Sequence, residues 1–120
     1  MVSEGHAVPW VLDDRGVSLL NLDRYSGAIA NFDAAIRLEP NDAYAYYNRA
    51  EAILNSDFHS QPYTIQQFQQ HHHLLIFRHL DAALQNLNRG LQINPHDTDV
   101  QNLKTLLIEG LRHGYLRGAR

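Results

Sequence analysis

Two stretches of this chain are written twice, and the repetition constrains the fold more than any single motif does. Residues 11–21, VLDDRGVSLLN, align with residues 45–55, AYYNRAEAILN, at an offset of 34. Arg15 falls on Arg49, Gly16 on Ala50, Leu19 on Ile53, and Leu20 and Asn21 on Leu54 and Asn55. Residues 28–42, AIANFDAAIRLEPND, align with residues 83–97, ALQNLNRGLQINPHD, at an offset of 55. Ala28, Asn31, Pro40 and Asp42 recur as Ala83, Asn86, Pro95 and Asp97, and the apolar Ile29, Phe32, Ile36 and Leu38 are replaced by Leu84, Leu87, Leu91 and Ile93. The first half-unit repeats at 34 and the second at 55, so the second copy carries 21 extra residues between its halves. A fixed internal period of this size marks a stack of supersecondary units that bury their apolar faces against one another.

Within each half-unit the apolar residues fall three and four apart, as in Ile29, Phe32 and Ile36 or Leu80, Leu84, Leu87 and Leu91, which is the helical period. Pro40 and Pro95 close the half-units. Asp42 and Asp97 follow as N-caps, whose side-chain oxygens accept free backbone N–H groups of the next helix. Five helices are expected, at about 10–22, 25–38, 42–56, 78–93 and 98–112, with no stretch of convincing strand alternation.

This pattern resembles the tetratricopeptide repeat family. In a first repeat at 9–42, Gly16 stands at the family's small position in the first helix and Tyr25 at its tyrosine opening the second. Ala28 and Ala35 are its small residues, Phe32 its aromatic and Pro40 its closing proline. A second repeat at 43–97 matches through Tyr46, Ala50, Ile53, Leu80, Ala83, Leu87, Gly90 and Pro95, interrupted by an insertion at 57–77. Residues 98–112 look like the capping helix of such an array, with tails at 1–8 and 113–120. The resemblance implies an all-α fold of antiparallel helix-turn-helix repeats, an α-solenoid, in which small residues let helix axes approach and Phe32 and Leu38 fill the space between them.

The family's usual work is to hold a peptide or partner protein on the concave surface made by the first helix of each pair. In this register the surface presents Asp13, Asp14, Val17 and Leu20, then Tyr44, Tyr47, Asn48 and Glu51, then Asp99, Asn102 and Leu106. Carboxylates outnumber cations there, so a basic or amphipathic peptide is the expected ligand. Some members clamp an acidic C-terminal carboxylate. Here Asn48 occupies one clamp position, but Asp13, Val17, Asp99 and Leu103 occupy the others, which argues against a clamp. Tyr46 reads as core. Arg15 and Arg49 read as structural partners of a neighbouring helix.

Composition supports a folded, non-enzymatic module. Apolar residues make up 44% and charged residues 19% of the 120, with a net charge of −3 and no cysteine. Disulfides, thiol catalysis and cysteine-ligated metals are therefore excluded. The first 57 residues hold nine acids and four bases, while residues 104–120 hold four bases and one acid. No dominant basic field invites nucleic acid. The basic end RHGYLRGAR reads as helix-terminal charge and a frayed tail. Neither a signal peptide nor a membrane span is apparent, so a cytoplasmic protein without membrane contact is expected. Asp13 and Asp14 diverge by about 100 degrees on a helix and cannot face one another as a catalytic pair, and no phosphate loop, HExxH or G-x-S-x-G occurs. No catalytic residue and no cofactor is expected.

The insertion is the unusual part. TIQQFQQHHHLLIF, residues 64–77, has three consecutive histidines and no charged side chain. His71, His72, His73 and His79 have no histidine three or four away, the spacing that brings two ligands together on a helix, so no metal site is assigned. With Pro62 in its first turn, the segment 63–77 is expected to run into the fourth helix as one rod of about 30 residues, on the order of 45 Å. On that rod Ile65, Phe68, His72, Leu75, Ile76 and His79 form a stripe turned away from the domain's own core, which predicts a homodimer through the insertion. The competing expectation is a self-assembly protein in which that stripe, rather than the groove, is the working surface.

Overall fold

The structure, a computed structural model, describes residues 8–59, 75–114 and 116–118, with the main chain alone at 75–77, 117 and 118. It is a run of helices: α1 Pro9–Asn21, α2 Tyr25–Leu38, α3 Ala43–His59, α4 Leu80–Ile93 and α5 Thr98–Arg112. Successive helices pack together as hairpins, α1 on α2, α2 on α3, α3 on α4 and α4 on α5. The all-helical repeat architecture expected from the periodicity is what forms.

Local chemistry accounts for each boundary. Pro9 opens α1, where its missing N–H costs nothing and its fixed φ suits the first turn. The α1–α2 turn needs a left-handed residue, and Asp23 takes it at φ 58° while its Oδ1 accepts a hydrogen bond from the Tyr25 hydroxyl at 2.9 Å. Asp42 caps α3, its Oδ1 accepting the Ala45 N–H at 3.1 Å. Asp97 caps α5 by accepting from the N–H groups of Asp99 and Val100 at 3.1 and 3.2 Å.

Small residues set the helix spacing. Phe32 is wholly buried, and its ring lies against Gly16 so closely that a Cβ there would stand 2.5 Å from the ring edge. Ala28, Ala52 and Phe32 form one cluster, with Val17, Leu19, Leu20 and Ile29 packed around it. Leu12, Ala35 and Ala45 seal the α1–α2–α3 junction. The largest cluster joins α3, α4 and α5 through Ala50, Ile53, Leu54, Leu80, Ala83, Leu87, Val100 and Leu107.

Two expectations about the interruption and the tail need correction. Residues 75–77 do not continue into the fourth helix: Leu75–Phe77 is a short strand, β1, paired in parallel with β2, Leu116–Gly118, and Arg78 and His79 form a turn. The helix begins only at Leu80 because Asp57, at the end of α3, ties down its entry, accepting the His79 backbone N–H at 2.6 Å and lying 2.8 Å from its Nδ1. The helical wheel that placed Leu75, Ile76 and His79 on one stripe therefore does not apply to them. The tail, for its part, is not frayed at 116–118. Leu116 packs on the α3–α4–α5 core and lies over Gly110, where a Cβ would stand 2.6 Å from its side chain. The rest of the expected rod lies outside the described residues.

Candidate partner-binding groove

Helical geometry puts the expected groove residues on consecutive stripes. Asp13, Val17 and Leu20 follow one face of α1, Tyr44, Tyr47, Asn48 and Glu51 one face of α3, and Asp99, Asn102 and Leu106 one face of α5. The stripes differ in how open they are. Val17 and Leu20 are half-buried against the Phe32 cluster, so they are walls anchored in the core. Tyr44, Asp99, Asn102 and Leu106 are exposed. Tyr47 and Glu51 lie between, half-buried.

Electrostatics show which of these side chains meet. The Tyr47 phenol is pushed up, first by burial, then by its hydrogen bond to Glu51, and then by the charges of Glu51, Asp99 and Asp97. The front of α3 and the N-terminal turn of α5 therefore form one acidic patch. At the α1 stripe, against the start of α3, the Asp13 carboxyl is pushed up to about 8. Burial is the largest cause, followed by a hydrogen bond with Asp42 and the charges of Asp42 and Asp14. Asp13 and Tyr47 stand 34 residues apart at matching repeat positions, and each senses the capping aspartate of the following unit, Asp13 through a hydrogen bond to Asp42 and Tyr47 through the charge of Asp97.

Two buried polar atoms here have no hydrogen-bond partner: Asp13 Oδ1 and Asn48 Nδ2, on side chains each only 5% exposed.

Sequence reasoning missed Trp10. It is 67% exposed, comparable to Tyr44 at 54%. The two are repeat equivalents at the offset of 34, and Trp10 shares a face with Asp13 and Val17 at spacings of three and seven. The offset could have found it, but position 10 fell at the edge of the aligned stretch. The Asp13–Asp42 contact was also missed, because it joins a helix to a loop residue that had been read only as a cap. Asp13 and Asp14 indeed belong to different faces; the carboxylate that meets Asp13 is Asp42.

Several other residues are accounted for by the fold. Arg49 Nε lies 2.9 Å from Asp33 Oδ1, joining α3 to α2, while Arg15 is exposed. Tyr46 is half-buried with the Arg89 guanidinium 5.9 Å above its ring. His59 stacks on Tyr25 at 5.6 Å. His79, assigned to the dimer stripe, is held by Asp57 within the chain; Ile65, Phe68 and His72 lie outside the described residues, as do the side chains of Leu75 and Ile76. The consecutive histidines at 71–73 lie outside them too. Among the described residues no three histidine, aspartate or glutamate side chains cluster as a metal site would require. An open depression of about 280 Å³ lies on the opposite face of α3, lined by Ile29, Arg49, Ile53, Ser56, His79 and Ala82. Its Arg49 and His79 are already engaged by Asp33 and Asp57. Among the described residues, no helix is long and apolar enough to cross a membrane.

A family model described as a TPR repeat matches residues 18–56, from within α1, through α2, to near the end of α3. No curated protein and no solved structure gives a significant match.

Proposed function

We propose that this chain, whose residues 18–56 match a TPR repeat model, is a non-enzymatic interaction module of two such repeats and a capping helix, holding a basic or amphipathic peptide of a partner protein in the groove of α1, α3 and α5. The observation that carries this reading is an acidic stripe flanked by exposed aromatics. Asp13, Asp14, Asp42, Glu51, Asp97 and Asp99 line or border the groove, with Trp10 at 67% and Tyr44 at 54% exposure at its edge. Large exposed aromatics anchor interfaces well because they lose apolar surface to water at little entropic cost. An acidic field steers a cationic partner and rejects an acidic one. The clamp for a terminal carboxylate is not part of this reading, since Asp13 offers no cation at its position and Asp99 would repel the carboxylate.

The test is affinity capture from native cytosol with the intact chain, the Tyr47→Ala and Asn48→Ala variants, and Gln85→Ala on the exposed side of α4 as control. A partner retained by the wild type and the control, and lost by both groove variants at unchanged circular dichroism, supports the groove. A partner retained equally by all four proteins overturns it.

A second reading, self-assembly, has one observation in its favour: Leu106, Ile108 and Leu111 are exposed on α5, at the open end of the array, at 68%, 38% and 38%. Two repeats and a cap are few for a stack that commonly needs about three. A monomeric mass by light scattering at tens of micromolar removes the dimer from consideration.

A further inference from the structure

Asp13 and Asn48 line the same seam. Leu12, next to Asp13 on α1, packs against Ala45 of α3, and Asn48 lies one turn on from Ala45. Asp42, which caps α3 through the Ala45 N–H, is also the residue the Asp13 carboxyl bonds. On this seam one acceptor, Asp13 Oδ1, and one donor, Asn48 Nδ2, are buried and unpartnered. A fold does not ordinarily leave such atoms unmet, because each has given up water without receiving a protein partner in exchange. What they lack defines what would complete them: a cationic donor for the oxygen and a carbonyl for the amide.

Resting on the groove reading above, we propose that the Asp13–Asn48 seam is a specificity seat for a lysine of the partner peptide, its ammonium received by Asp13 Oδ1 and a neighbouring peptide carbonyl by Asn48 Nδ2. Lysine fits better than arginine because a single acceptor is free. The Asp13 carboxyl also bonds Asp42, so it does not offer both oxygens to the parallel fork of a guanidinium, whereas a compact ammonium needs only one acceptor. Asp42 and Asp14 add negative charge without entering the contact. Trp10 and Tyr44, exposed on the same helix faces, supply apolar surface for the lysine stem and its neighbours. The seat inverts the chemistry of a carboxylate clamp.

Entry of the ammonium displaces the proton that Asp13 shares with Asp42. Binding therefore tightens as pH rises, by up to about tenfold per pH unit below pH 8, and levels off above it, while the lysine itself stays charged.

The experiment is selection from a phage-displayed library of random twelve-residue peptides, displayed internally so that no free terminus competes, on the full chain and on Asp13→Asn and Asn48→Ala. The expected wild-type pool carries lysine at one aligned position, enriched at least fivefold over the library. With Asp13→Asn that enrichment disappears. A selected peptide, synthesised, should weaken at least tenfold when its lysine is replaced by norleucine, should bind Asn48→Ala more weakly while keeping its lysine preference, and should lose its pH dependence on Asp13→Asn. Binders without a fixed lysine, binders with arginine or an acid at that position, or enrichment unchanged in Asp13→Asn overturn the seat and leave the groove reading standing. Recovery of no binders at all overturns the groove reading itself.

Discussion

Asp13→Asn should stabilise this protein, and by an amount that grows with pH. In the folded chain the Asp13 carboxyl is pushed up to about 8 from an ordinary value of 3.8, mainly by burial and then by Asp42 and Asp14. The folded state therefore holds a proton that the unfolded chain has already released between about pH 4 and pH 8. Stability falls as pH climbs through that window and is flat above it. Four units at about 1.36 kcal/mol each set a ceiling near 5–6 kcal/mol. Relaxation and water entry around the ionised carboxylate offset part of this, so about 2–3 kcal/mol is the expected loss. Asparagine has nearly the shape of the protonated acid, and its amide can donate to Asp42 as the shared proton does. At pH 4 the variant should match the wild type within about 0.5 kcal/mol, and at pH 8 it should exceed it by about 2–3 kcal/mol. Urea unfolding of both proteins at pH 4, 5, 6, 7, 8 and 9, with m-values compared at each pH, reads this directly. A stability difference that does not change with pH would refute the carboxyl pair.

Other perturbations test the packing and the seam. Gly16→Val should cost about 2–3 kcal/mol, since even its Cβ would stand 2.5 Å from the Phe32 ring and neither buried helix can yield freely; a variant melting like the wild type would contradict the close approach. Asp57→Ala should cost about 1–2 kcal/mol and loosen the start of α4, read as faster amide exchange at 80–83, because the His79 N–H loses its acceptor. Asn48→Ala should leave stability within about 1 kcal/mol, as it removes a buried Nδ2 with no partner; a loss above about 2 kcal/mol would mean that the side chain is bonded within the chain rather than held for a ligand.

The parts of this fold that could be read from the chain are those that depend on local chemistry repeated twice. Asp42 and Asp97 cap because aspartate before a helical period has one strong use, and Gly16 faces Phe32 because a small residue and an aromatic recur in register. What escaped the reading depends on contacts between distant segments. Nothing local marks Asp57 as the acceptor for the His79 N–H, or Leu75–Phe77 as the partner of Leu116–Gly118. The periodic wheel failed at 75–79 because a helix can be stopped by a side chain from another helix, and no one-dimensional pattern carries that information. The groove shows the same division: helical spacing assigned its faces, but the pairing of Asp13 with Asp42 had to come from the structure.

The Asp57–His79 contact also explains how a repeat can tolerate an interruption. It joins residues 22 apart in sequence at 2.6 Å, so the end of α3 is tied to the start of α4 whatever lies between them. The groove residues Tyr44–Glu51 occupy the first half of α3, and Asn48 lies about 13 Å along the axis from Asp57 at 1.5 Å per residue. Groove and insertion thus attach to opposite ends of one rigid helix. Replacing residues 60–74 by a six-residue Gly-Ser linker should then leave the helices and the groove in place. Shortening the connection from 15 residues to six gains only about 0.8 kcal/mol of closure entropy, too little to move stability far in either direction. The shortened chain should unfold within about 1–2 kcal/mol of the parent and keep its affinity for a groove peptide, with any change confined to its mass by light scattering. A larger loss of stability, or loss of peptide binding, would mean that the insertion contributes to the repeat core, and the separation of the two ends of α3 would fail with it.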